Sequence, residues 1–114
     1  MNKKIAEYVL NRAGGKCEWC GRWCNGAGSL HHIVGGSGKR THCERIESVI
    51  YICHDCHFGK YGATDYYITN NQMKMELQSY YFRNHTEDET RQLMGGKLFL
   101  EKGQIVKGKV CRWL

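Results

Sequence analysis

The chain has 114 residues, a formal net charge of +6 and 41% apolar residues. This length supports one small hydrophobic core and not two, and the balance of apolar and charged residues excludes wholesale disorder. No apolar run approaches the roughly 20 residues that span a bilayer, and no apolar leader segment follows the basic residues at the N-terminus. We therefore expect a cytoplasmic protein without membrane contact, and the basic surface favours a phosphate-rich partner.

Four regular elements are predicted from the N-terminus to just beyond the second cysteine pair. Apolar residues at helical spacing, followed by Gly14-Gly15, predict a helix over residues 3–13. Short apolar runs at 30–34 and 49–52 are typical of strands, and the second is rich in β-branched and aromatic residues. A polar loop is expected between them, and a helix after them, so the predicted order is strand, loop, strand, helix.

Two further helices are predicted in the second half of the chain. A capping box at Thr69 and Gln72 predicts a helix over about 70–84. One face of this helix carries the apolar residues Met73, Leu77, Tyr80 and Tyr81. The same capping pattern at Thr86 predicts a short second helix that stops at Gly95-Gly96.

The C-terminal segment 97–114 carries five Lys or Arg residues and a single acidic residue, and its glycines favour a small basic hairpin. No repeat or linker composition divides the chain, so residues 1–114 are expected to form a single α+β domain. Its core would lie at about 12–66, and a helical and basic extension would follow at about 69–114.

Four of the seven cysteines form two Cys-x-x-Cys pairs, Cys17 with Cys20 and Cys53 with Cys56. Each two-residue spacer lets two thiolates reach the same ion, so the pairs predict one tetrahedral structural zinc site. A redox role is the alternative, but no thioredoxin-like βαβ pattern accompanies the pairs. The other cysteines are expected to be free thiols, although Cys24 is close enough to Cys20 to compete for the ion.

Three histidines lie next to this predicted zinc site, His31-His32 between the two pairs and His57 directly after the fourth cysteine. Together with Cys17-Glu18-Trp19-Cys20-Gly21 and Ile52-Cys53-His54-Asp55-Cys56-His57, they resemble the zinc-containing branch of the HNH endonuclease family. The resemblance covers about residues 12–66. It implies a ββα-metal fold, hydrolysis of DNA to 5′-phosphate and 3′-hydroxyl ends, and a phage or mobile-element origin, which places the protein in the host cytoplasm.

The resemblance also implies roles for individual residues. His32 would be the general base, and His31 and His57 would hold one catalytic divalent ion. Magnesium or manganese is the expected ion, with nickel or zinc as alternatives that suit imidazole better. Ser48 stands where the family usually has its middle Asn, and Tyr61 stands where some members have a further His.

Double-stranded DNA is the expected partner, and a second copy of the chain or a phage packaging or recombination protein could join it. The basic residues expected to grip the DNA backbone are Lys39, Arg40, Arg45 and Lys60. Two other readings of the histidines stay open: extra zinc ligands or solvated surface groups. At the level of function, the alternatives are a non-catalytic, zinc-finger-like nucleic-acid-binding module that has lost activity, and a nuclease selective for branched DNA.

Overall fold

The computed structural model describes residues 1–35, 42–100 and 111–114. In this part of the chain, two antiparallel strands combine with four helices, which confirms the expected α+β class. In chain order, the elements are α1 (Lys3–Ala13), β1 (Ser29–His32), β2 (Val49–Ile52), α2 (His54–Phe58), α3 (Tyr67–Tyr81) and α4 (Glu87–Leu93). None of the helices in the described ranges is both long and apolar enough to cross a membrane.

Helix α1 has the bounds that the sequence predicts. The side chain of Asn2 accepts hydrogen bonds from the backbone N–H groups of Lys4 and Ile5, at 2.9 and 3.2 Å, which satisfies donors that a helix start leaves free. Gly14 ends the helix with φ of 59°, a left-handed conformation that glycine adopts without strain, and donates its N–H to Leu10. The helix packs against β2.

The two strands pair from Ser29 opposite Ile52 to His32 opposite Val49. All four residues of β2 are buried, whereas β1 is half-buried along its length. Strand β2 has the predicted bounds, but β1 ends at His32 and not at Val34, which lies in the bend after the strand. The pairing therefore brings the last residue of β1 to the start of β2, next to the loop that joins them.

Helix α3 departs from its prediction at both ends. It begins at Tyr67 and ends at Tyr81, and no side chain caps its start. The predicted capping box at Thr69 and Gln72 is wrong, because the Thr69 hydroxyl donates instead to the Tyr61 carbonyl, at 2.8 Å, and closes the connection from α2. The predicted apolar face holds at its centre: Met73, Leu77 and Tyr81 are buried, and Tyr80 is half-buried.

Helix α4 starts at the predicted capping box. The Thr86 hydroxyl accepts from the N–H of Glu89, at 3.2 Å, and the Glu89 carboxylate accepts from the N–H of Thr86, at 2.8 Å. Beyond this helix, ten residues of the predicted basic hairpin, 101–110, lie outside the described residues. Residues 111–114 form a turn, in which the buried Trp113 donates its indole N–H to the Glu47 carbonyl at 3.0 Å.

Candidate metal centre and histidine cavity

The four paired cysteines come together as the sequence predicts. The sulfur atoms of Cys17, Cys20, Cys53 and Cys56 all lie within 4.8 Å of one another. The sulfur atoms of Cys20 and Cys53 are 3.7 Å apart, which is close to the separation of about 3.8 Å that follows from tetrahedral zinc with Zn–S bonds of about 2.3 Å. The cluster is therefore positioned to hold a metal ion and is compatible with structural zinc.

Local backbone chemistry shapes the first pair of this cluster. Gly21 has φ of 84° and donates its N–H to the Cys17 carbonyl at 2.9 Å, which turns the chain back on itself after Cys20. Burial opposes ionisation of the Cys17 thiol, but amide N–H groups of Cys20, Cys53 and Trp19 outweigh it and lower the pKa of Cys17 to about 7. A thiol with this pKa is readily available as a thiolate ligand.

The second pair shows what the cluster gains from a cation. Burial raises the pKa of Cys56, and the neighbouring sulfur atoms of Cys53, Cys17 and Cys20 raise it further. A bound cation removes this repulsion between thiolates, so the donor set fits zinc. Cys24 is outside this group, which is the only set of three or more metal-ligating Cys, His, Asp or Glu residues within the described ranges.

A buried ion pair holds the first cysteine pair against the sheet. Glu18 accepts two hydrogen bonds from the Arg12 guanidinium, at 2.6 and 3.0 Å, and one from the backbone N–H of Tyr51, at 2.9 Å. Arg12 also donates to the carbonyls of Ile46 and Val49, at 2.6 and 2.9 Å. Helix α1, the cysteine turn and β2 are thus joined by one charged network.

Next to the cluster, an open cavity of about 570 Å³ lies between β1, α2 and α3. Its lining residues are Leu30, His31, His32, Ile33, Gly35, His57, Thr64, Asn70 and Lys74. The rings of His31 and His57 meet edge to face, with 5.1 Å between their centroids. All three histidines that the sequence singles out therefore line the same cavity.

His57 is held against β1. Its Nδ1 lies 2.7 Å from the Ser29 hydroxyl, and its ring packs on Phe58 with 3.9 Å between centroids. Ser29 and His31 are two residues apart on the strand, so they share a face. Partial burial lowers the pKa of His57, and the charge of His54 lowers it further.

His31 is held from the opposite side by α3. Its Nε2 lies 3.0 Å from the side-chain oxygen of Asn70. Burial lowers the pKa of His31 to about 4; the positive charges of His57, His32 and Lys74 act in the same direction, and the bond to Asn70 only partly offsets them. The imidazole is therefore neutral at physiological pH, which is the form that binds a metal ion.

His32 lines the same cavity but has a different partner from the other two histidines. Its Nε2 lies 3.5 Å from a carboxylate oxygen of Glu44, and the side chains of His32 and Glu44 are only 15% and 9% exposed. The other oxygen of Glu44 accepts from the backbone N–H of Asn2 at 2.7 Å. The three histidines thus divide into a facing pair, His31 with His57, and a separate His32 next to a carboxylate.

Ser48 lies in the loop between the strands and is not among the described residues that line the cavity. Its buried hydroxyl donates to the Cys43 carbonyl at 2.7 Å and accepts from the N–H of Arg45 at 2.9 Å. Its carbonyl accepts from the N–H of Ile33 at 2.9 Å, directly after β1. Ser48 therefore ties the loop to the end of the strand that carries His32.

Two of the four predicted DNA-gripping residues, Arg45 and Lys60, are described by the structure, and neither is among the residues that line the cavity. Arg45 forms an ion pair with Glu47 at 3.2 Å, and Lys60 lies over the ring of Tyr61 at 5.3 Å, beside the cysteine cluster. Lys39 and Arg40 lie outside the described residues. Tyr61 itself is 62% exposed and does not contribute to the lining of the histidine cavity in the described part of the chain.

Three residues of the site were missed by sequence reasoning. Asn70 and Lys74 are four residues apart on α3, and this spacing places them on one face. The spacing was readable from the sequence, although nothing there indicates that this face covers β1. Glu44 gives no such signal, because a single acidic residue in a polar loop is common.

The chain matches no protein-family model, no curated protein and no solved structure. Its functional interpretation consequently depends on two neighbouring sites that share α2. The four-cysteine cluster includes Cys56, and the next residue, His57, faces the cavity.

Proposed function

We propose that the chain is a zinc-stabilised endonuclease of the HNH type, which hydrolyses DNA phosphodiester bonds with one divalent ion and a histidine base. The observation that carries the proposal is the facing pair of His31 and His57, 5.1 Å apart in an open cavity next to a four-cysteine cluster. The order of strand, strand and short helix that presents this pair agrees with a ββα-metal core.

The donor groups in the cavity fit a divalent ion. His31 and His57 would hold it, since burial lowers the pKa of both rings and keeps them neutral near pH 7. Imidazole ligands suit manganese, nickel or zinc, and magnesium would keep mostly water around it. When bound, the ion supplies Lewis acidity that stabilises the charge developing on the phosphate and on the leaving 3′ oxygen.

His32 is suited to the role of general base. It would take a proton from the water whose oxygen forms a bond to phosphorus, and the bond between phosphorus and the 3′ oxygen would break. The electron pair of that bond stays on the 3′ oxygen, which takes a proton from solvent, so the products are a 5′-phosphate and a 3′-hydroxyl. Glu44, 3.5 Å from His32, would orient the ring and stabilise its protonated form.

Charge supports DNA as the substrate. The chain carries a formal net charge of +6, and Lys74 brings a cation to the cavity wall. Contacts of this kind bind the phosphate backbone without reading the sequence. A single active site cuts one strand, so a nick is the expected product, and double-strand cleavage would require a second copy of the chain or a second encounter.

Cleavage of a supercoiled plasmid in the presence of manganese or magnesium tests the proposal. The zinc-loaded wild type should nick the plasmid, and His32→Ala should slow nicking about 10²- to 10⁴-fold, the usual contribution of a general base. His42→Ala is the matched control, because His42 is an exposed histidine of the loop between the strands and is not among the described residues that line the cavity. Both variants should retain one zinc per chain.

Two results would count against the proposal. If His32→Ala nicks DNA as fast as the wild type, the assignment of the base is wrong. If the wild type binds DNA and zinc but neither binds a second divalent ion nor cuts, the chain is a non-catalytic zinc module.

A further inference from the structure

Helix α3 forms one wall of the histidine cavity. The three histidines themselves lie on β1 and α2, which precede α3 in the chain. Met73 and Leu77 of α3 are buried, whereas Asn70 and Lys74, one turn apart, line the cavity. The side-chain oxygen of Asn70 lies 3.0 Å from Nε2 of His31. The helix thus supplies a polar partner to a ring that the proposed function assigns to a metal ion.

The chemistry of this contact determines where the ring proton of His31 lies. An amide oxygen can only accept a hydrogen bond, so Nε2 must carry the proton, and the ring lone pair is then on Nδ1. Histidines that bind metals usually donate their other ring N–H to an oxygen in this way, which fixes both the tautomer and the ring orientation. At His57, the Ser29 hydroxyl lies 2.7 Å from Nδ1 and leaves Nε2 on the opposite side of the ring.

We propose that Asn70 is a positioning residue for the catalytic ion: it holds His31 as the Nε2–H tautomer and so presents Nδ1 to the ion. This inference rests on the proposed function and extends it beyond the segment of residues 12–66. Tyr61 stands four residues after His57, where some members of the resembled family have a further histidine, and it is 62% exposed. It therefore gives the site no imidazole. Asn70 provides support for the site from a different helix.

The first test reads the tautomer directly. Long-range ¹H–¹⁵N correlation spectra of the zinc-loaded, manganese-free protein at pH 7 should show His31 as the Nε2–H form. Asn70→Ala should shift His31 towards the other tautomer or a mixture, whereas Asn71→Ala should leave it unchanged. Asn71 is the next residue of the same helix and is not among the described residues that line the cavity. An unchanged tautomer in Asn70→Ala would overturn the proposal.

The second test measures manganese affinity from the free Mn²⁺ signal in electron paramagnetic resonance. Asn70→Ala should weaken binding about 10- to 100-fold, the usual effect of removing such a partner. Asn70→Asp keeps the accepting oxygen and should bind manganese at least as tightly as the wild type, with Asn71→Ala again as the control. Zinc content and thermal unfolding, measured for each variant, separate this effect from misfolding.

The outcomes for Asn70 and for the proposed function can be told apart. If the wild type binds no manganese beyond its zinc, the proposed nuclease function fails. If the wild type binds manganese and Asn70→Ala binds it equally well, only the role of Asn70 is overturned, and plasmid nicking by the wild type still decides the function.

Discussion

Replacing Arg12 by alanine should destabilise the fold severely, because Glu18 would stay buried after losing its cation. The side chains of Arg12 and Glu18 are only 14% and 5% exposed. Four hydrogen bonds are lost, two to Glu18 and one each to the carbonyls of Ile46 and Val49. Removing one partner of a buried pair typically costs about 3–5 kcal/mol, a large share of the roughly 5–15 kcal/mol that stabilises a small domain.

A second arginine provides the matched control. Arg22 and Asp55 form an ion pair at 2.7 Å, but their side chains are 64% and 68% exposed. Exposed pairs contribute little, because water screens the charges and two long side chains must be ordered. Arg22→Ala should therefore leave stability nearly unchanged, although it removes the same type of charge near the same cysteine cluster.

Urea unfolding of the zinc-loaded proteins, followed by tryptophan fluorescence and circular dichroism at fixed zinc concentration, measures the difference. The double variant Arg12→Ala with Glu18→Ala should lose less stability than the sum of the two single variants, because removing both partners leaves no buried unpaired charge. Should Arg12→Ala unfold at the same urea midpoint as Arg22→Ala, the network would not be a significant source of stability and the reasoning would be refuted.

Three further perturbations have defined outcomes. Zinc removal by a chelator, or Cys56→Ser, should abolish cooperative unfolding measured by circular dichroism; a chelated protein that still unfolds cooperatively would contradict this. Ser48→Ala should lower the free energy of unfolding in urea by about 1–3 kcal/mol, because its hydroxyl pairs with a buried and a part-buried backbone group; an unchanged midpoint would argue against it. The pKa of His31 is about 4 in the folded protein against an ordinary value of about 6.5, so its contribution is complete above pH 6.5 and is lost as the pH falls towards 4. At constant zinc loading, His31→Gln should flatten this part of the profile of unfolding free energy against pH by up to roughly 3 kcal/mol, and identical profiles would exclude it.

Local signals account for what the sequence could predict. The bounds of α1 and the cap of α4 follow from contacts within a few residues, and the strand at Val49–Ile52 follows from its β-branched and aromatic composition. The spacing of the cysteine pairs is a local signal of the same kind, because a two-residue spacer lets both thiolates of a pair reach the same ion. The start of α3 was mispredicted because the Thr69 hydroxyl donates to the Tyr61 carbonyl, eight residues earlier, and does not cap the helix.

The cavity could be predicted only in part. His31, His32 and His57 were identified from their places next to the cysteines, but their division into a facing pair and a histidine next to Glu44 depends on contacts made in the fold. Asn70 lies 39 residues from His31, and its contact requires α3 to pack across the strand. No periodicity or motif in the sequence encodes that packing.

Helix α2 joins the histidine cavity to the cysteine cluster, because Cys56 and His57 are neighbours on it. Five residues are too few for a helix to persist alone, so its position depends on contacts with the rest of the fold, which include the cysteine cluster and the Ser29 hydroxyl at His57. Cys20, the exposed member of the group, is where peroxide would arrive first. Its oxidation to a sulfenic acid or a disulfide would remove one thiolate from the group, so a zinc ion bound there would be held by fewer ligands, and a thiol reductant would restore the fourth.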